Sequence, residues 1–146
     1  MKEMQISEVA ELTQVVDAVL EVVAQRKDAG RATVLALHGE LGAGKTTFTQ
    51  TLAKKLGVTD TVTSPTFVIM KLYELLNQSF QKLVHIDAYR IEADDEMRVL
   101  GFDALLKEEG TLICIEWAEN IEALLPEDVI HLTLTVVDQG RKITIT

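Results

Sequence analysis

Eight consecutive residues, Gly39-Glu40-Leu41-Gly42-Ala43-Gly44-Lys45-Thr46, satisfy G-x-x-x-x-G-K-[ST] at every fixed position. Glycines at these places let backbone N–H groups turn inward around phosphate oxygens, where a side chain would stand in the way. A helix starting at Lys45 or Thr46 would add the positive end of its dipole at the same point. Lys45 is expected to reach the β- and γ-phosphates, and the Thr46 hydroxyl to ligate Mg²⁺. The expected ligand is therefore a nucleoside triphosphate with Mg²⁺, ATP where adenine is favoured below, with Glu40, Leu41, Gly42, Ala43, Gly44, Lys45, Thr46 and Thr47 forming its phosphate cradle. A glycine turn with a purely structural job is the competing reading. The Lys-Thr pair at the required offset, after an apolar run and before a helical pattern, argues against it.

Triphosphate chemistry on such a loop needs a second acid beside the metal, at the end of a buried strand. Two residues meet that description. Glu116 ends Thr111-Leu112-Ile113-Cys114-Ile115, and Asp87 ends Leu83-Val84-His85-Ile86. Both are expected at the sheet edge that carries the loop. Spacing alone does not rank them as metal ligand or water-activating base. Ser64 and Thr66, in Ser64-Pro65-Thr66-Phe67, carry hydroxyls suited to sensing a γ-phosphate, although a proline loop entering a strand explains the segment as well. His85, Tyr89 and Arg90 flank Asp87, with Arg90 a candidate phosphate or carboxylate partner. Trp117 covers the site or fills core. The guanine-reading Asn-Lys-x-Asp signature is absent, which favours adenine.

These residues require a scaffold that brings strand ends to one edge. The run Val34–His38 reads as a buried strand feeding the loop, and Thr46–Leu56 as a helix closed by Gly57. Further strands are expected over Phe67–Leu72, Leu83–Ile86 and Thr111–Trp117, with helices over Ile6–Lys27, Asp94–Lys107 and Glu119–Leu125. Ser7 is a candidate N-cap for the first helix. Val129–Val137 and Lys142–Ile145 alternate around Asp138-Gln139-Gly140, the pattern of a β-hairpin. The fold class that follows is α/β: a P-loop NTPase fold, with a mixed, mostly parallel sheet flanked by helices and a C-terminal antiparallel hairpin. Residues 1–146 read as a single domain, without repeat or linker.

Composition narrows the partners. With 23 acidic against 14 basic residues the net charge is −9, a poor starting point for binding nucleic acid directly. DNA is not an expected partner, and RNA would be held by another protein. No apolar run approaches the length of a membrane span, and Met1-Lys2-Glu3-Met4-Gln5 lacks the pattern of a signal peptide. A cytoplasmic location is expected. The single cysteine, Cys114, reads as a small buried residue.

Four segments together point to one family: His38–Thr47, Ser64-Pro65-Thr66-Phe67, His85-Ile86-Asp87-Ala88-Tyr89-Arg90 and Ile115-Glu116-Trp117. In their order and spacing the chain resembles the bacterial tRNA threonylcarbamoyladenosine biosynthesis ATPases, TsaE or YjeE. The resemblance runs from about Val34 to the C-terminal hairpin. It implies a small P-loop ATPase of weak intrinsic turnover, required for threonylcarbamoylation of adenosine 37 in tRNAs that read codons beginning with A. It also implies as partners the threonylcarbamoyl-transferase subunit and its paralogous partner subunit, with tRNA met only through that complex. By carry-over, Lys45 holds phosphate, Thr46 and Glu116 hold Mg²⁺, and Asp87 lies near the γ-phosphate or its water. Trp117 joins that site, and Ser64 and Thr66 lie in a switch-like loop. Glu40 and Ala88 depart from the residues common in the family but lie between the functional positions; the start of the first helix, which the resemblance places at the base pocket, also departs, so no adenine contacts are assigned. Arg141 is a further residue that approaches the nucleotide on this reading, without an assigned role. Two other classes stand beside this one, a small-molecule kinase and a nucleotide-sensing module. Only five arginines occur, scattered singly as Arg26, Arg31, Arg90, Arg98 and Arg141, so a kinase-type arginine lid is not visible.

Overall fold

The computed structural model describes residues 1–26, 30–63, 65, 69–76 and 79–146. Its centre is a seven-stranded sheet of order β1-β7-β6-β2-β5-β4-β3. The strands are β1 (Lys2–Ile6), β2 (Thr33–His38), β3 (Met70–Glu74), β4 (Lys82–Asp87), β5 (Thr111–Glu116), β6 (Ile130–Val137) and β7 (Gly140–Ile145). The four middle strands β6, β2, β5 and β4 run parallel. Antiparallel pairs close both edges, β3 against β4 and β1 and β6 against β7.

Position in the sheet follows composition. All six residues of β5 are buried, as are the first five of β2. Such continuous apolar runs belong where helices cover both faces. Alternate residues then serve different layers, because side chains on a strand alternate faces. Leu35, Leu37, Leu112 and Cys114 pack with Val15, Val16 and Val19 of α1 (Leu12–Arg26) and Phe48 and Leu52 of α2 (Lys45–Lys55). Val34, Ala36, Val84, Ile86, Ile113 and Ile115 meet Met97 of α3 (Asp94–Val99), Phe102 of α4 (Phe102–Leu106) and Ile121. Among the described residues no helix is long and apolar enough to cross a membrane.

Several expected elements are redrawn. The helix expected from Ile6 begins at Leu12, after a 3-10 turn over Val9–Glu11. Residues 2–6 form an edge strand instead, in which only Ile6 is buried. Its backbone is satisfied by β7, from Lys2 opposite Ile145 to Ile6 opposite Arg141. Ser7 is not the N-cap: its hydroxyl donates to Glu11 Oε1 (2.9 Å), and Glu8 precedes the turn. The helix expected over Asp94–Lys107 is two helices, α3 and α4, parted at Leu100-Gly101. Gly101 there has φ +83°, the left-handed conformation that stops a helix, and the break lets both Met97 and Phe102 face the sheet. The short helix after β5 is a 3-10 segment, Ala118–Leu124. The strand expected from Phe67 is described from Met70, and residues 66–68 lie outside the described residues.

Gly140 opens β7 with φ +141°, and a Cβ there would collide with the backbone carbonyl of Ile6. A side chain at this position must push β7 away from the end of β1. We expect Gly140→Ala to lower stability by about 1–3 kcal/mol through strain and overpacking. Urea unfolding followed by far-UV circular dichroism reads this directly, and an unchanged midpoint would rule out the close approach.

Candidate functional site

Strand β2 delivers the chain to Gly39, and the loop re-enters regular structure at Lys45, the first residue of α2. The N-cap of α2 is Gly44, and no side chain caps it. No acid occupies its first turn, whereas Lys54 and Lys55 sit in its last. The negative end of the helix is thus compensated by the protein's own charges, and the positive end carries no such compensation within the helix.

The side chains at this end are closely interlocked. Lys45 is 5% exposed. Its Nζ donates to the Gly39 carbonyl (2.5 Å) and lies 3.8 Å from the centroid of the Trp117 ring. Thr46 Oγ1 donates to the Glu116 carboxylate, 2.9 Å from Oε1 and 3.1 Å from Oε2. His85 Nε2 stands 2.6 Å from Glu116 Oε2. Asp87, buried at the end of β4, accepts the Tyr89 N–H at 3.0 Å. Asn120 Nδ2 donates to the Ala88 carbonyl (2.9 Å) and steadies the turn that follows. Trp117 has φ +58°, and its ring lies 5.1 Å from that of Tyr89.

Parallel register explains why the acids meet. Glu116 is opposite both Leu37 of β2 and Asp87 of β4, so the two carboxylates finish adjacent strands at the same level. A cavity of about 460 Å³ opens between them and the loop, lined by Leu41, Gly42, Gly44, Lys45, Thr46, Thr47, Asp87, Tyr89, Glu116 and Trp117. Most of the residues expected at the site therefore converge. Glu40 differs, offering its carbonyl to the Ala43 N–H (3.0 Å) while its exposed side chain stays off the cavity wall. Ala43 is buried beneath the loop. Ser64 and Thr66 lie outside the described residues.

The donor set suits Mg²⁺. A hydroxyl and a carboxylate are hard oxygen ligands, and this ion typically takes one or two protein oxygens together with waters and phosphate oxygens. Among the described residues no group of three His, Cys, Asp or Glu side chains could hold a metal by itself.

Sequence reasoning assigned nothing to a second hollow on the other side of the loop. It measures about 180 Å³ and is mainly apolar, walled by Ile6, Val9, Leu12 and Leu134, with Gly42–Gly44 and Thr47 at its base. Arg141 borders it but is turned to the loop, donating to the carbonyls of Ala43 (3.1 Å), Gly42 (3.3 Å) and Gly140 (2.9 Å). The readable signal was the Ser7-to-Glu11 spacing. Glu11 Oε1 accepts from the Ser7 hydroxyl (2.9 Å) and from the N–H groups of Ser7 and Glu8 (both 3.1 Å). These bonds, the Ser7 hydroxyl foremost, hold the Glu11 carboxyl below its ordinary range and shape the turn that walls the hollow.

The family described as threonylcarbamoyl adenosine biosynthesis protein TsaE matches residues 6–143 of this chain. The tRNA threonylcarbamoyladenosine biosynthesis protein TsaE of Bacillus subtilis is 44% identical over 114 residues, 77% of this chain and 68% of that protein. Its namesake from Streptomyces coelicolor is 42% identical over 116 residues, 75% of this chain and 76% of the relative. Among solved structures, the crystal structure of YdiB from Bacillus subtilis superposes with a TM-score of 0.72 at 31% identity, covering 99% of this chain and 83% of that one.

Behind the site, Cys114 is fully buried on β5, its Sγ 3.5 Å from Thr49 Oγ1. Burial pushes the thiol up to about 12 from an ordinary value of 9.0. The folded form therefore keeps its proton where an unfolded thiol ionises, and stability declines as the pH rises above 9.0. At pH 8, Ellman's reagent should leave the native chain unlabelled and react with it only in denaturant. Stoichiometric labelling of the folded chain would contradict this burial.

Proposed function

This chain belongs to the TsaE family of threonylcarbamoyl adenosine biosynthesis proteins, and from that premise we propose that its part in tRNA modification is that of a Mg²⁺-dependent ATPase. The observation that carries the proposal is the convergence of Lys45, Thr46, Asp87 and Glu116 on one cavity at an uncapped helix N-terminus.

On this reading the triphosphate lies along the loop. Backbone N–H groups and Lys45 neutralise it, and Lys45 exchanges the Gly39 carbonyl for phosphate oxygen. Thr46 and Glu116 hold Mg²⁺, which when bound would draw charge from the β- and γ-phosphate oxygens. The contact between Thr46 and Glu116 favours Glu116 as the metal-side acid. Asp87, on the neighbouring strand, is left to orient the attacking water. Trp117 and Tyr89 cover the reacting end, and the apolar hollow beside Ile6 and Leu134 receives adenine. The acidic charge of the chain fits an accessory role, in which a threonylcarbamoyl-transferase subunit and its paralogous partner subunit hold the tRNA.

The decisive experiment measures ATP hydrolysis by the chain alone and again with the transferase complex added. Stimulation by the complex supports the proposal. Phosphorylation of a small molecule, with rate and binding indifferent to the complex, would replace it with a kinase. We expect Lys45→Ala to weaken ATP binding about 10–100-fold, the loss of a charge-assisted phosphate contact of roughly 1.5–3 kcal/mol. Calorimetric titration checks this. Glu116→Ala should lower Mg²⁺-dependent turnover by about two orders of magnitude. Wild-type hydrolysis in that variant would transfer the metal-side role to Asp87.

A further inference from the structure

His85 is wholly buried on β4, yet its Nδ1 has no hydrogen-bond partner among the described residues. Its other nitrogen, Nε2, lies 2.6 Å from Glu116 Oε2. A carboxylate only accepts hydrogen bonds, so Nε2 carries the proton and donates it. An apolar residue at this position would avoid burying an unpartnered nitrogen, and the neighbouring residues on the same face, Leu83 and Cys114, are of that kind. An orphaned polar atom retained in a core indicates that the other end of the side chain has a task. Here that end touches one residue of the proposed metal site.

We propose that His85 is a positioning residue that holds Glu116 in metal-binding orientation, an inference that rests on the ATPase reading above. The geometry gives the reason. Among the described residues Glu116 has two side-chain donors, Thr46 and His85. The Thr46 hydroxyl lines the cavity and would share its oxygen with a cation, so its bond to Glu116 is open to rearrangement when the site fills. The His85 bond is not, because the imidazole approaches from inside the sheet and does not face the cavity. His85 thus keeps Oε2 anchored while Oε1, the oxygen nearer Thr46, stays directed at the loop. It also draws the Glu116 carboxylate back along β4 toward position 85, away from Asp87 directly opposite. Both residues are about 95% buried at the ends of adjacent strands, where like charges repel, so the direction in which Glu116 is held matters. Removing such an outer partner of a metal ligand usually costs 10–100-fold in metal affinity.

The test uses the full chain with a non-hydrolysable ATP analogue and follows the fluorescence of Trp117, the single tryptophan. Mg²⁺ is titrated into wild type, His85→Leu, His85→Gln and His85→Asn, and affinity for the analogue is measured separately in EDTA. We expect His85→Leu to raise the Mg²⁺ concentration for half-saturation about 10–100-fold with metal-free affinity unchanged. His85→Gln, whose amide nitrogen reaches the place of Nε2, should recover most of that loss, and the shorter His85→Asn should not. A folded His85→Leu protein with wild-type Mg²⁺ dependence would overturn the proposal. So would equal losses with and without Mg²⁺, which denote a general structural role. If His85→Leu does not fold, the contrast between Gln and Asn decides, and equal behaviour of those two overturns it. Failure of the wild-type chain to bind the analogue would instead sink the ATPase reading itself.

Discussion

A carboxylate at the end of a strand buried on both faces must find hydrogen-bond donors within the protein, since an unpartnered charge there would not be tolerated. Glu116 is that carboxylate, and much of the site can be understood as its answer. One donor comes from the first turn of α2, which requires that helix to start directly over the end of β5. The other comes from β4, which requires the parallel neighbour and its register, with Asp87 opposite Glu116. The loop, the helix and the two acidic strand ends are therefore held in one arrangement by the need to keep a single charge satisfied.

A second set of contacts ties the loop to parts of the chain distant in sequence. Arg141 donates to the carbonyls of Gly42 and Ala43, so the C-terminal hairpin braces the loop from below. The hairpin is in turn extended by β1, whose last residue, Ile6, walls the apolar hollow. The loop thus stands between two cavities of different character. One is lined by Lys45, Thr46 and two acids, and the other chiefly by aliphatic side chains. A molecule with a charged and a flat apolar end matches that pair. Lys45 occupies the polar side, paired with the Gly39 carbonyl and lying against the Trp117 ring.

Local patterns carried the parts of this protein that were legible in its sequence. The glycine loop, the apolar runs of β2 and β5, α2 with Gly57 beyond it, and the alternating hairpin each declare themselves within a few residues. The signal lies in the spacing of neighbours. Where the local pattern was weak it misled. Strand β1 is mostly exposed and polar, with its backbone satisfied by β7 at the far end of the chain, so nothing nearby announced it. The break at Leu100-Gly101 was hidden because apolar residues continue across it, and only packing on the sheet shows why the chain must turn. His85 shows in the sequence only as a neighbour of Asp87, because its partner lies 31 positions away.

What the sequence determined alone was therefore the set of reactive residues on offer: a glycine-rich loop with a lysine and a threonine, and two acids at strand ends. It did not rank those acids, since identical flanking patterns describe both. Tertiary structure separated them by joining Glu116 to Thr46 across 70 positions and to His85 across the β4–β5 pair, while Asp87 bonds to the Tyr89 N–H beside it. The hollow beyond the loop likewise exists only once β1, β6 and β7 assemble around Gly42–Gly44. Residue spacing is a property of the covalent chain, but which donor meets which carboxylate is set by strand register and helix placement, and these are decided by packing of the whole core.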